Sequence, residues 1–383
     1  MMPGQIVFVV IGTRPEAIKL APVVRALVDA DIDVRVCLTG QHTDLLAHGL
    51  AGFELPIHHE LAVMSDNQDP QTVCRRIMKG LSPILLQERP IWVVVQGDTV
   101  SAFSAALTAF HHRLRVAHVE AGLRTGDTLE PWPEEMYRRL LGQLATLHFA
   151  PTAEARANLL AEGVDPRSIL VTGNTIIDAL RFATARVAEF PGLAEPALAI
   201  LRSVREGRHL VLATVHRREN FGTPLEAIGV ALIQLAARGD CDIVVPAHPN
   251  PSIKPLVLQL AGHANVQVVP PLEYFPFTAL LREATLILTD SGGIQEEAAA
   301  LGKPVLVLRG RTERPEVIAM GNGRLVGSDA DCIVREAGRL LGDFSARSAM
   351  QRSHDSYGDG HAARRIVTRL LDEMAFGDLP RSH

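Results

Sequence analysis

The chain has 383 residues, of which 47% are hydrophobic and 21% charged, and its formal net charge is -5. That length favours two domains of similar size, and that composition is of a globular protein rather than a disordered or fibrous one. With acidic and basic residues mixed throughout, there is no basic face to track a phosphodiester backbone, which argues against a nucleic-acid partner. No run reaches the roughly 18 apolar residues of a membrane span, which argues against a membrane. The four cysteines, Cys37, Cys74, Cys241 and Cys332, are scattered without a CxxC pair and point to neither a disulfide framework nor a metal site. The first apolar run has no basic flank or small-residue cleavage site, so the chain is read as cytoplasmic.

In chain order, Ile6 to Ile11 is a continuous apolar, β-branched run ending in Gly12-Thr13-Arg14-Pro15, after which Ala17, Leu20, Ala21, Val24 and Leu27 recur with helical spacing. Fully apolar strands followed by helices mark a parallel sheet buried on both faces, an α/β fold. Strands are expected again at 34–38, 92–95, 116–119 and 148–150, closing one doubly wound domain over residues 1–180. After a Pro- and Gly-containing connection at 181–207 the pattern restarts, with strands at 209–215, 242–246, 266–269, 286–289 and 305–308 in a second domain over 208–360. Ligands of such sheets bind beyond the carboxyl ends of the strands, so two of these domains face to face would enclose a cleft.

The chemistry-bearing residues sit where that rule puts them. Arg14 lies on the turn after the first strand, and Lys19 one helical turn later. Asp98 and Glu120 end the strands at 92–95 and 116–119, and Glu134 follows in Pro133-Glu134-Glu135 at the start of a helix. Clustered carboxylates push one another's titration apart, so one can serve as acid while another serves as base. Either Glu134 or Glu135 is expected only to complement the helix dipole. His216, with Arg217 and Arg218, follows the strand at 209–215, and His248 follows the one at 242–246. Ser291-Gly292-Gly293 opens a helix after the strand at 286–289, where bare backbone amides and the helix dipole suit a phosphate. Neither GxGxxG nor GxxxxGKS occurs there, so no nicotinamide or Walker-type site is expected, and the anion is read as a nucleotide-sugar diphosphate.

Taken in order, GTRPEAIKLAPV, TGQH, QGDT, HVEAGLRTGD, PWPEE, TGNTIIDAL, HRRENFG, LTDSGGIQEEAAALGKPVLVLR, TERPE and YGDGHAARRI resemble the non-hydrolysing UDP-N-acetylglucosamine 2-epimerases over about 5–371. The resemblance implies a GT-B type fold of two Rossmann-like domains, with a helix at 361–383 packing back on the first. It implies anti elimination of UDP to give 2-acetamidoglucal and re-addition to give UDP-ManNAc, with no cofactor and no metal. By the same resemblance Asp98, Glu120, Glu134 and His216 are catalytic. Arg14, Lys19, Ser291, Gly292, Gly293 and Arg314 surround the substrate and its diphosphate, Glu297 takes the ribose, and Phe277 lies beside the uracil. A homodimer is implied too.

Relatives that bind a second, activating UDP-GlcNAc point to Gln41, His42, Gln68 and His248, although Asp44 and the stretch 66–68 depart from that pattern. Tyr137 stands where the family has asparagine, and Leu272 replaces a glutamine near the base. Three rivals are a 2-epimerase of a related UDP-sugar such as a 2,3-diacetamido sugar, a hydrolysing 2-epimerase, against which PEAIK speaks, and a GT-B glycosyltransferase.

Overall fold

The computed structural model describes residues 5–40, 52–63, 69–352 and 355–376, so the candidates Gln41, His42 and Gln68 lie outside the described residues. The chain divides into two compact units, unit 1 comprising Met1–Phe182 with Tyr357–His383, and unit 2 comprising Ala183–Ser356.

Unit 1 holds a seven-stranded sheet in the order β3-β2-β1-β4-β5-β6-β7. Its strands are β1 (Ile6–Ile11), β2 (Asp33–Leu38), β3 (His59–Glu60), β4 (Trp92–Gln96), β5 (Arg115–Val119), β6 (Leu147–Ala150) and β7 (Ile169–Val171). Unit 2 holds a six-stranded sheet in the order β10-β9-β8-β11-β12-β13. These strands are β8 (His209–Thr214), β9 (Cys241–Pro246), β10 (Val266–Val269), β11 (Leu286–Thr289), β12 (Val305–Val307) and β13 (Gly323–Leu325). Neighbouring strands pair in parallel throughout, Val7 standing opposite Val34 on one side and Trp92 on the other. In both sheets the order runs outward from the first strand and then reverses, the doubly wound arrangement whose ligand crevice opens at the reversal.

Two-sided burial explains the unbroken apolar runs. Val7, Val9 and Ile11 of β1 pack with Leu20, Val24 and Leu27 of the helix Arg14–Asp29 and with Ile366 and Leu370 of the helix Ala362–Phe376. The alternate residues Phe8 and Val10 pack on the opposite face against Leu81, Leu85, Ala102 and Ala105. Unit 2 repeats the scheme, with Val211 and Ala213 facing one layer of helices and Leu210 and Leu212 the other. At about 1.5–3 kcal/mol for each fully buried aliphatic side chain, these layers supply the driving force for both units. Among the described residues no helix is long and apolar enough to cross a membrane.

Candidate active site

In unit 1 the candidates gather at the carboxyl ends of β1, β4 and β5. Thr13 caps the helix Arg14–Asp29 and forms a reciprocal capping box with Glu16. The Glu16 carboxylate is buried and does more than cap: it accepts the amides of Gly12 (2.9 Å) and Thr13 (2.6 Å) and the Thr99 hydroxyl (2.7 Å). Burial pushes its carboxyl up to about 7, against those hydrogen bonds. Glu16 thereby ties the turn carrying Arg14, which is half-buried at the helix start, to the turn carrying Asp98.

Lys19 is buried, and its ammonium pairs with Glu120. Glu120 also accepts from Gln96 Nε2 (3.0 Å) and Asn174 Nδ2 (3.2 Å), all three donors meeting Oε2. Its backbone lies in the left-handed region at φ +63°. An L-residue other than glycine pays for that conformation, and such residues persist where their surroundings over-determine them, often at functional sites.

Asp98 follows Gly97, whose φ of +71° makes the turn after β4. Arg138 grips Asp98 Oδ2 through Nε (2.7 Å) and Nη2 (2.6 Å), and its Nη1 donates to Glu135 (3.0 Å). Glu135 is fully buried and accepts the amides of Thr125 (3.1 Å) and Gly126 (3.4 Å). Of the two adjacent glutamates, then, Glu135 is bound up in structure, while Glu134 begins the helix Glu134–Leu144 and is only half-buried. Pro133 is that helix's N-cap residue. His118 donates from Nε2 to the Gly97 carbonyl at 2.7 Å, fixing the turn from below, and burial pushes its imidazole down to about 4. Tyr137 lays its ring flat on Phe103, with centroids 4.9 Å apart and planes 7° from parallel. The departure from asparagine is thus absorbed by packing between helices.

In unit 2 the organiser is Asp290, which the sequence reading passed over. Fully buried at the end of β11, it accepts the amides of His216 (2.9 Å) and Arg217 (2.9 Å) and the Asn220 side chain (3.0 Å). His216 Nδ1 stands 3.4 Å from Asp290 Oδ1, and its ring stacks on His248 with centroids 5.1 Å apart. Burial holds the His216 imidazole below its usual range while Asp290 opposes that trend. The helix Gly292–Ala300 starts with Ser291 as N-cap residue, whose side chain makes no capping hydrogen bond. A Cβ on Gly292 would come within 3.2 Å of the Arg314 guanidinium carbon, whereas one on Gly293 would meet nothing within 4 Å.

Arg314 is the N-cap residue of the helix Pro315–Ala319. It is buried in ion pairs with Glu296 and, at 3.5 Å, with Glu313. Glu297 is buried and accepts the Tyr274 hydroxyl at 2.8 Å, and Phe277 is half-buried on the same helix as Tyr274. Leu272 is buried in the core beside it. Among the described residues no group of three His, Cys, Asp or Glu side chains is placed to hold a metal ion.

Two successive Rossmann-like units, with carboxylates and cations at the strand ends of one and a glycine-opened helix at those of the other, define a GT-B type nucleotide-sugar enzyme. A family model described as UDP-N-acetylglucosamine 2-epimerase matches residues 25–371. The UDP-N-acetylglucosamine 2-epimerase of Escherichia coli K12 is 46% identical over 367 residues, covering 95% of this chain and 98% of the relative. A crystal structure of UDP-GlcNAc 2-epimerase from Neisseria meningitidis bound to UDP-GlcNAc is 40% identical with a TM-score of 0.92, covering 96% of this chain and 100% of that one. The Methanocaldococcus jannaschii UDP-GlcNAc 2-epimerase in complex with UDP-GlcNAc and UDP is 33% identical with a TM-score of 0.84, covering 96% and 100%. The chain belongs to the UDP-N-acetylglucosamine 2-epimerase family.

Proposed function

We propose that the chain interconverts UDP-GlcNAc and UDP-ManNAc without hydrolysis. The observation that carries this reading is the pair of carboxylates on adjacent strands, Asp98 and Glu120, each with its own buried cation, Arg138 and Lys19. In the elimination one side chain of the set Asp98, Glu120, Glu134 and His216 takes the C2 proton while the anomeric C1–O bond breaks. The C2–H bonding pair becomes the second bond between C1 and C2 of the glycal, and UDP leaves with the C1–O bonding pair. Re-addition of UDP at C1 with protonation of C2 on the opposite face completes the inversion. The negative charge that grows on departing UDP suits the amides of Gly292 and Gly293 at the helix start, aided by Arg314. Glu297, aligned by Tyr274, accepts the ribose hydroxyls, and Phe277 flanks the base.

Proton NMR with UDP-GlcNAc in deuterated water tests the proposal: product UDP-ManNAc should carry deuterium at C2, and UDP should be released only slowly. Fast stoichiometric release of UDP with free ManNAc would replace the reading by hydrolysis. We further infer a homodimer formed through unit 1, where Leu129, Trp132, Met136 and Leu140 are exposed together on the helix Glu134–Leu144 and the loop before it. Light scattering at micromolar concentration checks the mass. The reading also places the enzyme in the cytoplasm, which cell fractionation tests.

A further inference from the structure

The loop Thr172-Gly173-Asn174 after β7 is where the chain returning to unit 1 docks. Asn174 donates its amide to the Tyr357 carbonyl (2.6 Å), and Arg365 donates to the Thr172 carbonyl (3.0 Å). Gly173 and Gly358 pack backbone to backbone, so that a Cβ on Gly173 would lie 2.8 Å from Gly358 Cα. The side chain of Asn174 is buried, and its orientation is determined by chemistry: Oδ1 accepts the Ile176 amide (3.1 Å), which leaves Nδ2 to donate to Glu120 Oε2 (3.2 Å). A flipped amide would set NH2 against N–H and oxygen against carboxylate.

We propose that Asn174 is a positioning residue for the epimerisation, fixing the Glu120 carboxylate to the segment on which the returning chain docks. The inference rests on the functional reading above, in which Glu120 handles a proton. The unfavourable φ of Glu120 persists where surroundings over-determine it, and the donors Lys19, Gln96 and Asn174 on Oε2 are part of those surroundings. Lys19 supplies charge and Gln96 comes from the adjacent strand, whereas Asn174 is the donor that also holds the docked segment.

The test is Asn174→Asp, which preserves size and the Oδ1 acceptor but sets a second carboxylate against Glu120. Turnover should fall about 10- to 100-fold with KM within about 3-fold, the scale of a hydrogen bond to a charged group. The limb of the kcat profile set by Glu120 should move to higher pH, because a like charge disfavours ionisation. Asp178→Asn is the control: Asp178 accepts the amides of Ala362 (3.2 Å) and Ala363 (2.9 Å) in the same docked segment, so its loss should lower Tm without moving the profile. Should Asn174→Asp not fold, Asn174→Ser removes the donor without adding charge and should lower kcat about 10-fold. A wild-type pH profile and kcat in a folded Asn174 variant would overturn the proposal. Absence of C2 exchange in the wild-type protein would instead overturn the functional reading, and 13C NMR of the Glu120 carboxyl would still report whether Asn174 governs its titration.

Discussion

Arg138 offers the sharpest test of how unit 1 holds the Asp98 carboxylate. Its guanidinium joins Asp98, whose side chain is 26% exposed, to Glu135, whose side chain is 0% exposed. Arg138→Met keeps the apolar stem and removes the charge, leaving the buried Glu135 without that counter-ion. Stranding one member of a buried pair costs about 3–5 kcal/mol. Glu135 keeps the Thr125 and Gly126 amides and an Arg139 contact at 3.7 Å, which puts the expectation at the lower end, about 3 kcal/mol. For a unit of this size that corresponds to a fall in Tm of about 10 °C. Adding Glu135→Gln removes the stranded charge, so the double mutant should regain about 2 kcal/mol, a coupling that a double-mutant cycle reads directly. Both tryptophans, Trp92 and Trp132, belong to unit 1, so intrinsic fluorescence during urea unfolding reports this unit alone. Activity should drop at least about 10-fold in the single and in the double mutant, since Asp98 loses its grip in both. A single mutant within about 1 kcal/mol of wild type, or a double mutant no more stable than the single, would refute the ion-pair reasoning.

Asp98→Asn, Glu120→Gln and Glu134→Gln should each lower turnover at least about 100-fold while UDP binding, measured by calorimetry, persists; near-normal rates in all three would remove them from the proton-transfer set. His118 titrates near 6.5 when unfolded but is held down to about 4 when folded, so the unfolded chain binds the extra proton between those values. The His118 contribution to stability is therefore complete above about pH 6.5 and falls by about 3 kcal/mol on acidification to pH 4, a contribution that the difference between wild type and His118→Gln in urea melts should show. Glu16, raised by burial to about 7, acts in the opposite sense as pH rises through its range, so the difference between the two proteins isolates His118. Asp290→Asn should reduce kcat about 10- to 100-fold and alter the 15N signature of the His216 ring; an unchanged ring would show that Asp290 supports only the backbone.

Strand positions were legible because two-sided burial writes itself as continuous apolar runs: β1, β11 and the edge strand β10 have the expected bounds, and the other expected strands differ by one residue. The strands missed are β3, β7 and β13, all at sheet edges, each two or three residues long, and with only one or no buried residue apiece. These short edge strands have one neighbour and little cover, so their composition carries no such run, whereas β10, also at an edge, keeps three valines and was legible. The strand-end rule located the candidate carboxylates and the glycine-opened helix, but not the groups that hold them. Arg138 meets Asp98 across 40 positions, Asn174 meets Glu120 across 54, and Asn220 meets Asp290 across 70. Polar contacts of that separation have no periodicity to betray them. Lys19 and Arg314 are expected around the substrate, but their pairing with the buried Glu120 and Glu296 has no signal in the sequence and comes from packing alone.

The helix Ala362–Phe376 places Ala363, Ile366, Val367, Leu370 and Met374 inside the hydrophobic core that β1 begins. During synthesis unit 1, whose first strand precedes Ala183–Ser356, therefore waits for the helix Ala362–Phe376, while Ala183–Ser356 can finish folding on the way. Until that helix clears the ribosome, the apolar faces of β1 and of the helix Arg14–Asp29 stay partly uncovered and open to chaperones. A stop codon shortly after Tyr357 would leave a nascent protein with a finished second half and an unfinished first.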